Sequence, residues 1–117
     1  MVTLGTPFRD ISATHAVRLV ALRPGGRPVS DSQAVRAHLR QPIPVPATSI
    51  YSRSDGIVHW QSCLEDEGPR RENVEVSCSH TGMGFHPEAL AVIADRLALP
   101  EGAWRPFVAA GEVYPAA

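Results

Sequence analysis

The sequence predicts an α/β domain of about three short parallel strands with flanking helices, and three observations carry that expectation. Strand-like and helix-like segments follow one another as strand, helices, strand, helix, strand, helix. Right-handed crossover connections build a parallel sheet from that order. Eleven prolines and nine glycines divide the chain into pieces of element length. The 117 residues suit one domain, since roughly 150 residues per domain is the working prior.

The opening Val2-Thr3-Leu4, stopped by Gly5-Thr6-Pro7, reads as the end of a short buried strand. From Thr14 to Arg23, Ala16, Val17, Val20 and Ala21 recur at helical spacing until Pro24-Gly25-Gly26. Ser30 with Gln33 three residues on is a capping-box pattern that starts a short helix through Val35 and Leu39 to about Arg40. Pro42, Pro44 and Pro46 stiffen an extended connector, which leads into a strand over 47–52 rich in β-preferring residues. Asp55-Gly56 turns the chain, and 57–64 reads as a short helix or irregular segment before the acidic run Glu65-Asp66-Glu67, expected on a solvated loop. Val74 and Val76 alternate with Asn73, Glu75 and Ser77, which predicts a strand over 73–77. Pro87 suits a first helical position, and Leu90, Ile93, Ala94 and Leu97 then recur at i, i+3, i+4, i+7 until Pro100. Trp104 and Phe107 in the tail are placed to cover an apolar edge, and the final residues are expected to fray.

Composition excludes several function classes. Twelve acidic against eleven basic residues give a formal charge of −1, without the basic excess of a nucleic-acid surface. Every basic residue is Arg; scattered from Arg9 to Arg105, they read as compositional bias rather than a set of anion clamps. No run approaches the roughly 18 apolar residues of a membrane span. Two cysteines, Cys63 and Cys78, are too few for a disulfide-stapled scaffold, and the N-terminus lacks the features of a signal peptide. The expected compartment is therefore the reducing cytoplasm.

Two loops follow predicted strands at the positions where open α/β sheets place their chemistry: Ser52-Arg53-Ser54-Asp55-Gly56 and Ser77-Cys78-Ser79-His80-Thr81-Gly82-Met83-Gly84. An acid after one strand and a histidine after the next match the last two members of a nucleophile, acid, base triad. The acid would hold the imidazole tautomer, and the histidine would move the nucleophile's proton.

The segments YSRSDGIVHW and ENVEVSCSHTGMGFHPEALAVIADRLALPEGAWRPF resemble the C-terminal part of an α/β-hydrolase of the lipase/esterase type. The opening VTLGTPF is similar to the strand that follows the nucleophile-elbow helix in that family, so the resemblance covers nearly all of residues 1–117. It implies that Asp55 is the triad acid and His80 the general base, in an enzyme hydrolysing lipid-like carboxylic esters without cofactor or metal. The chain departs from the family in one decisive respect. None of its nine serines lies in G-x-S-x-G, so the nucleophile is missing. The oxyanion hole, built partly on the residue after that serine, would be missing with it.

The resemblance thus implies a partial α/β-hydrolase domain, with Met1 internal to a strand of a longer or split enzyme. A small ester would be its substrate only once a nucleophile-bearing segment completes it. The competing expectation is a non-catalytic interaction module whose exposed sheet edge pairs with another chain or with its own copy. Other residues carry weaker alternatives. Cys63, Cys78, His80 and His86 are zinc-type ligands, but their spacing matches no compact module, and Cys78 fits a core position. His59 competes with His80 for Asp55, while Arg53 either flanks the acid or faces solvent. Trp60, Met83 and Phe85 either line an acyl pocket or pack against the sheet. His15 and His38 read as structural or surface residues on helices.

Overall fold

A computed structural model of the chain describes residues 1–10, 24–25, 33–41 and 43–109. The predicted helix over 14–23, Ser30 of the capping box and the tail from 110 lie outside the described residues. Three strands, β1 (Val2–Leu4), β2 (Ala47–Tyr51) and β3 (Arg71–Glu75), form one parallel sheet in the order β1-β2-β3. The register runs from Val2↔Thr48 to Leu4↔Ile50 and from Ala47↔Arg71 to Tyr51↔Glu75. Helix α1 (Gln33–Leu39) precedes β2, a 3₁₀ turn spans Trp60–Cys63, and α2 (Pro87–Leu97) follows β3. The α/β class and the parallel sheet are as the sequence predicts. No helix among the described residues is long and apolar enough to cross a membrane.

Strand β2 is central, and Ala47, Thr48, Ser49 and Ile50 are all buried. A parallel strand covered on both faces usually reads as an apolar run; this one has hydroxyls on two of its buried residues, each with a partner. Thr48 Oγ1 donates to Glu72 Oε1 at 2.7 Å, and Ser49 Oγ donates to the Cys63 carbonyl. On the Ile50 face, Val76, Met83, Ala89 and Val92 make the core, with Val2, Leu4, Val74, Cys78, Ile93 and Phe107 packed against it. On the opposite face Tyr51 stacks on Trp60 of the 3₁₀ turn, ring centroids 5.6 Å apart.

One boundary and one buried face differ from the sequence pattern. Strand β3 begins at Arg71, two residues before the alternation starts, because its limits are set by pairing with β2. The inward position there is Glu72, whose carboxylate meets the buried Arg96 at 2.9 Å, so a charge occupies what a hydropathy pattern expects to be apolar. Helix α2 likewise buries Ala89, Val92 and Arg96, while Leu90 and Leu97 are 47% and 73% exposed. The helix is rolled toward the Glu72 carboxylate, away from the face its leucines mark.

Both cysteines are free. Burial, and then the charge of Asp55, push the Cys63 thiol from 9.0 up to about 11. Below pH 9 folded and unfolded chains both hold this proton, so its contribution to stability is fully present. Between pH 9 and 11 the unfolded chain alone releases it, and the fold loses about 1.4 kcal/mol per pH unit. Urea melts at pH 8 to 11 are expected to show that slope in the native chain and a correspondingly shallower one in Cys63→Ala.

Candidate active site

The two loops after β2 and β3 emerge side by side because their strands are adjacent and parallel, and this brings Asp55 and His80 together. His80 Nδ1 lies 2.7 Å from Asp55 Oδ2. The Asp55 side chain is 2% exposed and the His80 ring 32%. The second carboxylate oxygen, Oδ1, accepts the amides of Ile57 at 2.8 Å and Val58 at 2.9 Å. A carboxylate accepts, so the Asp55 contact favours a proton on Nδ1, and in the neutral imidazole that tautomer leaves Nε2 as the acceptor. Three donors converge on Asp55, which compensates the burial of its charge.

The loops are tied to each other through Ser52, which is buried. Its hydroxyl donates to the Cys78 carbonyl at 2.6 Å and accepts the amides of Cys78 at 3.3 Å and Ser54 at 3.1 Å. A single side chain thereby spans from the acid loop to the base loop. Arg53 turns away to Glu75 at 3.2 Å and lies over the Trp60 ring, 4.6 Å from its centroid. That contact holds the outer side of the acid loop.

Other candidates separate under this geometry. Met83 is a fully buried core residue, Trp60 packs on Tyr51, and Phe85 stands 84% exposed beyond the base loop. His59 is exposed, and Asp55 Oδ2 meets His80. Among the described residues, no three of His, Cys, Asp and Glu gather as a group that could hold a metal ion. Gly84 has open space around the position a Cβ would take, whereas Gly82 packs against Ser79 Oγ.

Neither cysteine is activated. The thiols of Cys63 and Cys78 are both pushed upward, by burial first, the reverse of what a nucleophilic thiolate needs. Among the described residues no serine hydroxyl is hydrogen-bonded to His80. What the arrangement can do is accept a proton at Nε2, hold the resulting imidazolium against Asp55, and return the proton.

Sequence reasoning passed over Ser52 and Gly5. The role of Ser52 in tying the loops carries no local signal, because the partner across the loops, Cys78, lies 26 residues on. Gly5 reads in the sequence only as a strand breaker. No protein-family model, curated protein or solved structure matches the chain.

Proposed function

We propose that residues 1–117 supply the acid and base of a serine hydrolase acting on carboxylic esters, with Asp55 orienting and His80 as general base. The observation that carries this reading is the 2.7 Å contact between a buried carboxylate and a part-exposed imidazole. They sit on successive loops at the C-terminal ends of adjacent parallel strands. The resemblance to the C-terminal part of lipase/esterase α/β-hydrolases supports the ester class. A serine supplied by a further segment would pass its hydroxyl proton to His80 Nε2 as its oxygen attacks the ester carbonyl carbon. Collapse of the tetrahedral intermediate expels the alcohol, which takes that proton back from Nε2. Water, activated at the same nitrogen, then hydrolyses the acyl-serine and releases the acid. Asp55 remains ionised throughout.

A second reading is an interaction module: among the described residues β1 is an edge strand that pairs with β2 alone, and an edge can accept an added strand. The experiment is to translate the DNA upstream of Met1, co-express any segment carrying strand, G-x-S-x-G and helix, and treat the product with a fluorophosphonate. Labelling of the motif serine that disappears in His80→Ala is the expected result. Binding of the segment without labelling would favour the interaction module. The 117-residue chain alone is expected to hydrolyse p-nitrophenyl esters no faster than its His80→Ala variant, and appreciable His80-dependent turnover would contradict the assignment.

A further inference from the structure

Gly5, at the end of β1, lies beside the Asp55–His80 hydrogen bond from outside the two loops. Its backbone is left-handed, φ +53°, and its amide donates to the Ile50 carbonyl at 2.8 Å. A Cβ built there would lie 3.1 Å from His80 Nδ1, 3.3 Å from His80 Cε1 and 3.3 Å from Asp55 Oδ2. The end of β1 therefore packs against the two atoms that share the proton, closely enough that a side chain would crowd them.

We propose that Gly5 is a positioning residue for the Asp55–His80 pair: its backbone closes one flank of the Nδ1–Oδ2 hydrogen bond, and its missing side chain sets where the imidazole rests. This deepens the acid–base reading of the pair and rests on it. The reason lies in which of the three parts can move. Asp55 is held by the Ile57 and Val58 amides on its other oxygen. Strand β1 is held by its ladder to β2 and by the Gly5 amide. The His80 ring, part exposed and bonded through Nδ1, is the part that gives. A methyl group at position 5 swings the ring away from Oδ2, admits water to the Nδ1 proton and releases the tautomer.

Gly102 is the matched control. It too is left-handed, φ +78°, but a Cβ there meets nothing within 4 Å. Gly5→Ala and Gly102→Ala therefore share the backbone penalty of a left-handed L-residue and differ in the contact. The readout is the His80 ring by ¹⁵N NMR, which reports the tautomer, together with exchange of the Nδ1 proton with water. Native chain and Gly102→Ala are expected to hold the Nδ1–H tautomer. Gly5→Ala is expected to mix both tautomers and to exchange that proton on the order of tenfold faster, the factor for weakening one charge-assisted hydrogen bond. An unchanged tautomer and exchange rate in Gly5→Ala would overturn the proposal.

If Gly5→Ala does not fold, the same substitution in a His80→Ala background decides, because removing the ring relieves two of the three close contacts, the shortest among them. There, a loss from Gly5→Ala no larger than that from Gly102→Ala in the same His80→Ala background supports the assignment, and a larger loss refutes it. Failure of the acid–base reading looks different: the native chain itself would then lack the Nδ1–H tautomer.

Discussion

Asp55→Asn is expected to reverse the His80 tautomer while the chain stays folded. Asp55 Oδ1 accepts two backbone amides, so the Asn side chain keeps its carbonyl oxygen there and turns its NH₂ toward His80 Nδ1. The opposite orientation would face an NH₂ toward two amide donors, which is worse. Two donors cannot share the Nδ1 position, so the proton moves to Nε2, and Nε2 no longer accepts from a nucleophile. In a completed enzyme turnover would fall by about 10⁴-fold, the effect of the same substitution in a trypsin-type triad. The cost in stability is about 1–3 kcal/mol, that of one weakened buried hydrogen bond. Ring ¹⁵N shifts check the tautomer, and a retained Nδ1–H form would mean that Asp55 does not orient His80.

Arg96→Ala is expected to cause the largest loss of stability, about 3–5 kcal/mol, because it leaves a buried carboxylate without its cation. The Arg96 side chain is 3% exposed and Glu72 11%. Its guanidinium meets Glu72 Oε1 at 2.9 Å, the Asp95 carboxylate and the Arg105 carbonyl, and lies 5.7 Å from the Phe107 ring centroid. Glu72 in turn accepts Thr48 Oγ1 at 2.7 Å and the Phe107 amide at 2.7 Å. One ion pair thus fastens α2, β2, β3 and the tail. Against a total of about 5–15 kcal/mol for a small domain, its loss approaches unfolding. Arg96→Lys recovers little, since an ammonium cannot reproduce the planar fork, whereas Arg96→Met with Glu72→Leu removes both charges and recovers more. Urea denaturation of the four proteins gives the comparison, and a loss below 1 kcal/mol in Arg96→Ala would show the pair to be dispensable.

The legible and illegible parts of this molecule divide by sequence distance. That Asp55 and His80 would lie close together was readable, because each lies a few residues beyond a strand pattern and neighbouring parallel strands deliver such loops to the same end of a sheet; position alone made Asp55-Gly56 a plain turn, and the roles of acid and base came from the resemblance. The Glu72–Arg96 pair was not, for its members are 24 residues apart and each looks like an ordinary surface charge. That one pair explains both errors of pattern: a strand that starts before its alternation does, and a helix that buries an arginine while exposing Leu90 and Leu97. Gly5 is the third case. Its neighbours in the sequence make it a strand stop, and only the packing of β1 shows which hydrogen bond it closes.

The residues by themselves determined the class of fold, through β-preferring and helical segments punctuated by proline and glycine, and they put Asp55 and His80 on the loops after successive strands. Those are consequences of local backbone preference and periodicity, which act over a few residues. Tertiary structure alone decided the rest: that Asp55 spends one oxygen on its own loop and the other on His80, that Ser52 ties the two loops, and that Gly5 lies against the shared proton. Apart from the bonds of Asp55 within its own loop, these depend on burial and on contacts across 25 residues or more, where geometry is set by how strands pair and pack rather than by any segment's own preference.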